Sequence, residues 1–311
     1  MTRSDTPRPP ALARGGIDRA ADERDTPDLV DALRQRSDTR VVAVHGDRGT
    51  VTASGRHVHT VTVAEVGADV EWAFLGRDAE GRAVVLAAAS AAATPPVAAL
   101  PDDVQWAPLR SAGADLDAVD AGLLVEAVSL GRWLTGAPYC SACGGRTRVR
   151  AAGWARHCPD CGAEHFPRTD PAVIVAVSSA DGERLLLGKN ALWADRNMYS
   201  TFAGFVESGE SLESAIVREV REEAGVEVVD CHYRGSQAWP YPRSLMLGFH
   251  ARVAPGSVAR PDGVEIVDAR WFSRAELAAV LSGELDPAPF GLPGAASIAH
   301  RLIADWVERS P

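Results

Sequence analysis

The hydrophobic positions of the chain change their spacing from region to region, and each spacing predicts a different element. Between residues 28 and 98, short apolar runs alternate with turn-forming pieces, which is typical of a small β-rich domain. Apolar residues then recur at three- and four-residue spacing from Asp115 to Leu134 and predict a helix that packs in the core. The run Ala172–Val177 predicts a buried strand, and Leu185–Leu187 a second strand paired with it.

The C-terminal region mixes strand and helix patterns. Leu245–Ala251 and Glu265–Phe272 are predicted strands, and Ser273 and Glu276 form a capping-box signature that opens a helix. Residues 295–308 predict a terminal amphipathic helix. Because strands and helices interleave, this region should be an α/β domain.

Composition and charge narrow the function classes. The 311 residues carry a net charge of −10, which argues against non-specific binding to the nucleic-acid backbone, so no DNA partner is expected. No run of about 18 apolar residues could span a membrane, and the N-terminus lacks a secretory pattern. These features predict a cytoplasmic protein without a membrane partner.

Four of the five cysteines form two close pairs, each followed by glycine: Cys140 with Cys143, and Cys158 with Cys161. Two such pairs supply the four thiolates of a tetrahedral zinc site, and a closed set of four leaves no open position for catalysis. We therefore predict structural zinc, with an iron–sulfur cluster or metal-free thiols as the alternatives. Cys231 lies outside this set and is expected in a strand.

The most informative stretch is GFVESGESLESAIVREVREEAGV, residues 204–226. Ser211 can cap a helix that Gly225 closes. Three carboxylates share one face of its last two turns: Glu219, Glu222 and Glu223. A solvated charged face is the alternative, but such hard oxygen ligands suit magnesium or manganese, which also bind phosphates.

This stretch resembles the Nudix hydrolases, whose signature G-x5-E-x7-R-E-U-x-E-E-x-G-U it matches at every defined position, U being aliphatic. The resemblance implies a mixed β-sheet sandwiched by helices and hydrolysis of a diphosphate with Mg²⁺ or Mn²⁺. It also implies that Glu219 and Glu223 hold the metal with the backbone carbonyl of Ala203. Glu222 would be a further ligand or would orient and deprotonate the attacking water.

Two other roles follow from the same resemblance. Arg218 would tie down Glu210 or Glu222 and so hold the carboxylates in place. Glu265, about forty residues beyond the box, matches an additional acidic metal ligand of one subgroup. An ordinary exposed strand glutamate is the alternative for Glu265.

A second motif, SQAWPYPRS at residues 236–244, resembles the S-Q-P-W-P-F-P-x-S signature of the NADH pyrophosphatase (NudC) subgroup. Ala238 and Tyr241 are the departures. We interpret the segment as a proline-stiffened loop that presents Gln237, Trp239 and Tyr241 to a dinucleotide at low ordering cost. A core loop whose tryptophan only packs is the alternative.

The subgroup resemblance extends to substrate contacts and to the order of domains. It assigns substrate contacts to Gln237, Ala238, Trp239, Pro240, Tyr241, Pro242, Arg243, Ser244, Arg110, Phe166, Phe205 and Ala299. Gly153 departs from a glutamate near the substrate in a bacterial relative, which puts that contact in doubt. The expected organisation is a disordered tail (1–26), a β-rich domain with a terminal helix (27–136), a zinc ribbon (137–168) and a Nudix domain (169–311).

The activity implied is hydrolysis of NAD(H), with the reduced form preferred, to AMP and a nicotinamide mononucleotide. Removal of an NAD cap from RNA 5′ ends needs the same chemistry, and a homodimer is implied as well. Two alternatives stay open: a broader hydrolase of ADP-ribose or dinucleotides, and a sensor that binds NAD or ADP-ribose without cleaving it.

Overall fold

The computed structural model describes residues 9–285 and 288–309 and forms two compact units. The N-terminal unit contains Leu12–Thr169 and Pro240–Arg243, and the C-terminal unit contains Asp170–Trp239 and Ser244 onward, together with the residues up to Ala11. Within the part of the chain that is described, no helix is both long and apolar enough to cross a membrane.

The C-terminal unit is built on one mixed sheet of six strands. Its elements are β9 (Asp170–Ser178), β10 (Arg184–Asn190), β11 (Phe202–Phe205), α4 (Leu212–Ala224), β12 (Val228–Trp239), β13 (Ser244–Val253), β14 (Ile266–Ser273), α5 (Arg274–Leu281) and α6 (Ile298–Glu308). The strand order is β12-β13-β9-β10-β14, and only the β13–β9 pair is parallel. β11 pairs with the first half of β9, whereas β10 pairs with its last two residues.

Helices cover both faces of this sheet, as the continuous apolar run in β9 predicts. Val173, Val175 and Val177 pack on one face with residues of α4, while Ile174 and Ala176 pack on the other with residues of α6. A strand buried on both faces cannot alternate polar and apolar positions, which explains the run. The predicted sandwich of a mixed sheet between helices is therefore confirmed.

Local signals set the ends of the helices in this unit. The Ser211 hydroxyl accepts the N–H of Ser214 at the start of α4, and Gly225 closes that helix. Ser273 and Glu276 form the predicted capping box at the start of α5. Ile216 and Val220 are fully buried and fix α4 against the sheet.

The N-terminal unit contains the predicted β-rich domain and its long helix. Its elements are α1 (Leu29–Arg34), β1 (Arg40–His45), β2 (Arg48–Thr52), β3 (Glu71–Arg77), β4 (Ala83–Ala89), β5 (Val104–Pro108), α2 (Leu109–Ala112) and α3 (Ala118–Gly136). The five strands are ordered β3-β4-β1-β2-β5. α3 begins three residues later than the sequence predicted and is buried over most of its length.

A disordered tail was expected at residues 1–26. Its first eight residues lie outside the described residues, and the prediction is wrong for residues 9–26. Leu12 is only 3% exposed. The Arg14 guanidinium donates to three backbone carbonyls about a hundred residues away, and Glu23 forms a bidentate ion pair with Arg77 at 2.6 Å. Long-range polar contacts thus order a segment that has few apolar side chains of its own.

The third part of the N-terminal unit is a small three-stranded sheet. Its strands are β6 (Arg148–Arg150), β7 (Ala155–His157) and β8 (Glu164–His165). The buried Arg156 side chain of β7 donates to the carbonyl of Leu134 at the end of α3 and to Glu71 of β3. These bonds join the small sheet to the larger one.

Candidate active site

The acidic end of α4 lies against β11. Ala203 and Gly204 of β11 pair with Ile174 and Val173 of β9, so their backbone is fixed by the sheet. A Cβ added to Gly204 would overlap the carboxyl group of Glu219. The glycine that opens the motif is therefore needed so that this carboxylate can lie directly on the strand.

Arg218 organises the carboxylates around it. Its guanidinium forms two hydrogen bonds to Glu210, at 2.7 and 2.9 Å, and one to the carbonyl of Phe205 at 2.9 Å. It also pairs with Glu219 at 2.9 Å and with Glu222 at 3.2 Å. The hydrogen bonds from Arg218 lower the pKa of Glu210 to about 2. The structure therefore shows Arg218 holding Glu210 and Glu222 at once.

Glu223 is the most deeply placed of the three helix carboxylates, at 5% exposure. Burial, reinforced by the negative charges of Glu265 and Glu219, raises the pKa of Glu223 to about 8, although a backbone hydrogen bond from Ala203 opposes the shift. Its Oε2 atom is buried and has no hydrogen-bond partner. A buried anionic oxygen without a partner is costly unless a cation occupies the position beside it.

Glu219 and Glu222 differ from Glu223 in their exposure. Burial raises the pKa of Glu219, and the neighbouring Arg218 opposes that rise. The Glu222 side chain is 60% exposed and is directed towards water. One helix thus presents two shielded carboxylates and one that solvent reaches.

Glu265 stands at the start of β14, and its charge acts on Glu219 and Glu223. Its Oε1 accepts from the Asn190 side chain at 3.5 Å, and its backbone carbonyl accepts the N–H of Ala191 at 2.8 Å. Sequence reasoning overlooked Asn190. Asn190 ends β10, three residues beyond the strand that the sequence predicted, and its side chain caps the 3-10 helix Ala191–Arg196.

These donors fit Mg²⁺ or Mn²⁺, which Nudix hydrolases use for catalysis. The unpartnered oxygen of Glu223 and the shielded carboxylate of Glu219 are hard ligands. The backbone of Ala203 lies beside them and is hydrogen-bonded to Glu223. Among the described residues, no three box carboxylates lie within 4.8 Å of one another. Mutual repulsion and the pull of Arg218 on Glu219 and Glu222 account for that spacing.

The four thiols form the predicted metal site. Their sulfur atoms lie within 4.8 Å of one another, with Cys140 to Cys161 at 3.6 Å and Cys143 to Cys158 at 3.4 Å. Zinc at about 2.3 Å from each sulfur requires sulfurs about 3.8 Å apart, so the group fits zinc. The glycine that follows each pair, Gly144 or Gly162, has a positive φ and donates its N–H to the first cysteine's carbonyl.

The segment 236–244 is largely a strand hairpin and not the proline-stiffened loop that we expected. Its first four residues end β12, Ser244 begins β13, and Gln237, Ala238 and Trp239 pair across the hairpin with Met246, Leu245 and Ser244. Gln237 is 1% exposed, and its amide donates to the Ala296 carbonyl at 3.0 Å. The prediction that Gln237 is presented to a dinucleotide is therefore wrong for this side chain, because the sheet directs it into the core.

Tyr241 is held within the N-terminal unit. Its hydroxyl accepts the N–H of Arg110 at 3.1 Å, and Arg132 lies 5.7 Å from its ring centroid. Burial and the negative charge of Asp47 raise the pKa of Tyr241 to about 12. Pro240 and Ser244 are buried, whereas Pro242 and Arg243 are exposed. The turn is thus anchored by its tyrosine.

The remaining residues that were predicted to contact substrate differ in their exposure. Phe166 and Phe205 are large apolar side chains at the surface, 45% and 51% exposed, and Arg110 is exposed as well. Ala299, the second residue of α6, is 2% exposed, so its methyl group lies in the core, and its contact with substrate stays a prediction. A side chain at Gly153 would collide with Ala73 of β3, which explains why no glutamate stands there.

Comparisons with known proteins agree with this geometry. Three family models match: a NUDIX domain over residues 168–291, an NADH pyrophosphatase zinc ribbon domain over 137–166, and an NADH pyrophosphatase-like rudimentary NUDIX domain over 33–133. The chain is 38% identical to the NAD-capped RNA hydrolase NudC of Mycobacterium tuberculosis over 309 residues, covering 96% of this chain and 94% of that protein.

Two further similarities are shorter. The NAD-capped RNA hydrolase NudC of Stutzerimonas stutzeri is 41% identical over 213 residues, covering 68% of this chain and 71% of that protein. A solved NUDIX hydrolase from Nitrosomonas europaea is 24% identical, covers 55% of this chain and 90% of that chain, and has a TM-score of 0.41, too low to bear on function. The chain belongs to the NADH pyrophosphatase (NudC-type) family of Nudix hydrolases.

Proposed function

We propose that this enzyme hydrolyses the diphosphate of NAD(H) to AMP and nicotinamide mononucleotide, and cleaves the same diphosphate in NAD-capped RNA, which releases nicotinamide mononucleotide and leaves a 5′-monophosphate on the RNA. Water adds to one phosphorus of the diphosphate, and the bridging P–O bond breaks. The observation that carries the proposal is the carboxylate group on α4, with a buried and unpartnered Glu223 oxygen, in a chain 38% identical to an NAD-capped RNA hydrolase.

The roles of the carboxylates follow from their positions. Mg²⁺ or Mn²⁺ supplies charge neutralisation for the diphosphate oxygens and for the leaving phosphate. Glu219 and Glu223, with the Ala203 carbonyl and Glu265, would hold the cation, because the two helix carboxylates are shielded from water and the charge of Glu265 acts on both. Glu222 would orient and deprotonate the attacking water, since its carboxylate alone among the three is largely in solvent.

Substrate recognition is assigned, as the family resemblance implies, to exposed groups. Phe166 and Phe205 offer flat apolar surface for the bases, and Arg110 and Arg243 offer positive charge for phosphates. Trp239 is half-buried and keeps part of its ring accessible. Gln237 would fix the end of β12 through its bond to Ala296, and Tyr241 would fix the turn through its bond to Arg110.

A homodimer in the cytoplasm completes the proposal. The family resemblance implies the dimer, and light scattering on the purified protein measures it directly. A reducing compartment keeps the four cysteine thiolates available to zinc, which supports the cytoplasm. The boundaries between the β-rich domain, the ribbon and the Nudix domain, at residues 136 and 168, are part of the same proposal.

Product analysis tests the activity. NADH, NAD⁺, ADP-ribose and an NAD-capped RNA are each incubated with Mg²⁺ or Mn²⁺, with Glu219→Gln protein purified identically as the control for contaminating hydrolases. We expect AMP and reduced nicotinamide mononucleotide from NADH, formed faster than ADP-ribose is cleaved. Binding of NADH without turnover would support a sensor, and preferential ADP-ribose cleavage would support the broader hydrolase.

Gly204→Ala should separate activity from stability. The added methyl group would displace only the end of the flexible Glu219 side chain, so we expect turnover of NADH to fall about tenfold or more while the free energy of unfolding changes by less than about 1 kcal/mol. Gly294→Ala, where no atom lies within 4 Å, is the control. Equal activity of the two variants would contradict the fit between Gly204 and Glu219.

A further inference from the structure

The turn before β14 is organised by an aspartate with no assigned role. The Asp262 carboxylate accepts the backbone N–H groups of three successive residues: Val264 at 3.1 Å, Glu265 at 3.2 Å and Ile266 at 2.8 Å. Charge-assisted bonds of this kind are stronger than neutral ones. They fix the peptide planes on both sides of Glu265.

The same turn is tied to the acidic helix and to β10. The N–H of Arg260 donates to the carbonyl of Ala224, the last residue of α4, at 2.7 Å. At its other end, the Glu265 carbonyl accepts from Ala191 at 2.8 Å. The turn is therefore bonded at one end to α4 and at the other end to the residue that follows β10, and Asp262 accepts the hydrogen bonds within the turn.

We propose that Asp262 is a positioning residue, which holds Glu265 so that its carboxylate completes the metal site of Glu219 and Glu223. This inference rests on the proposed function. Two observations support this placement: the turn is bonded to Ala224, the residue after Glu223, and Glu223 Oε2 is buried without a partner. A carboxylate held at this point adds negative charge where the cation binds.

Asp262 acts through Glu265 rather than on the cation. Oδ1 of Asp262 accepts three successive amide N–H groups, and Oδ2 shares the amide of Glu265. Among the described residues, the Glu265 side chain receives only the long bond from Asn190.

Mn²⁺ binding to the zinc-loaded protein tests this without relying on activity. Titration followed by electron paramagnetic resonance should show about tenfold weaker Mn²⁺ binding for Asp262→Ala, the usual cost of removing a supporting contact behind a ligand. NADH turnover should need correspondingly more Mn²⁺, with kcat at saturating metal nearly unchanged. Asp181→Ala is the matched control, because Asp181 also caps a turn of this unit, through Ser179 and Glu183.

A double-mutant cycle decides between positioning and direct ligation. In a Glu265→Gln background, Asp262→Ala should weaken Mn²⁺ binding no further. An additional loss in that background, or an equal loss in Asp181→Ala, would overturn the proposal. If the wild-type protein binds Mn²⁺ but does not cleave NADH, the proposed substrate is wrong, whereas the Mn²⁺ cycle still reports on Asp262.

Discussion

Replacing Glu223 by glutamine should lower NADH turnover about 10²- to 10³-fold and, at the same time, stabilise the protein free of added Mg²⁺ and Mn²⁺. Turnover falls because the amide has no negative charge for the cation, and this interaction contributes several kcal/mol to the transition state. Steady-state kinetics and urea unfolding of zinc-loaded protein measure the two effects.

The gain in stability follows from the raised pKa of Glu223, about 8 against an ordinary 4.5, which is caused chiefly by burial. A carboxyl group with a raised folded-state pKa makes folding less favourable as pH rises from 4.5 through 8. At pH 8 the glutamine variant should therefore be more stable by on the order of 2–4 kcal/mol, and the difference should vanish near pH 4.5.

Glu213→Gln is the control for this experiment, since Glu213 lies exposed in the first turn of the same helix. It should keep both wild-type turnover and wild-type stability. Mn²⁺ should stabilise the wild type but not Glu223→Gln. A Glu223→Gln protein that is less stable than wild type at pH 8 would mean that the buried oxygen is satisfied without a cation.

The site was predictable where its residues are close in sequence. Ser211, the three glutamates and Gly225 lie within one helix, so fixed spacing defines their geometry. The two cysteine pairs are defined in the same way, because each pair forms one tight turn. Local chemistry also predicted the Ser273 capping box and the β9 strand.

The errors concern contacts between residues far apart in the chain. Arg14 bonds to carbonyls about a hundred positions away, so composition alone made residues 12–26 look disordered. Gln237 is polar and stands in an aromatic motif, yet its amide has a buried partner at Ala296. The Asp262–Gly263 pair is a turn signal, but only the fold shows that this turn carries Glu265 beside α4.

The zinc site should contribute to stability and not directly to chemistry, because its four ligands are all thiols and it forms part of the N-terminal unit. Metal binding to such a site contributes to the free energy of folding, since the unfolded chain does not hold the ligands together. The ribbon is tied to the larger sheet through Arg156. Loss of zinc should therefore destabilise more than the ribbon itself.

Cys158→Ser is the sharpest test, because Cys158 is fully buried, whereas His165 Nε2 lies 3.2 Å from the Cys140 sulfur and could replace that ligand. We expect bound zinc to fall from one ion per chain to near zero, and the melting temperature to drop by about 10 °C or more. Cys231→Ser removes a cysteine outside the group and should change neither value. A Cys158→Ser protein that melts like wild type and cleaves NADH normally would show that the thiols are not a structural zinc site. If the zinc is structural, the fraction of the variant that stays folded should keep the wild-type KM for NADH, because the loss of zinc acts on folding.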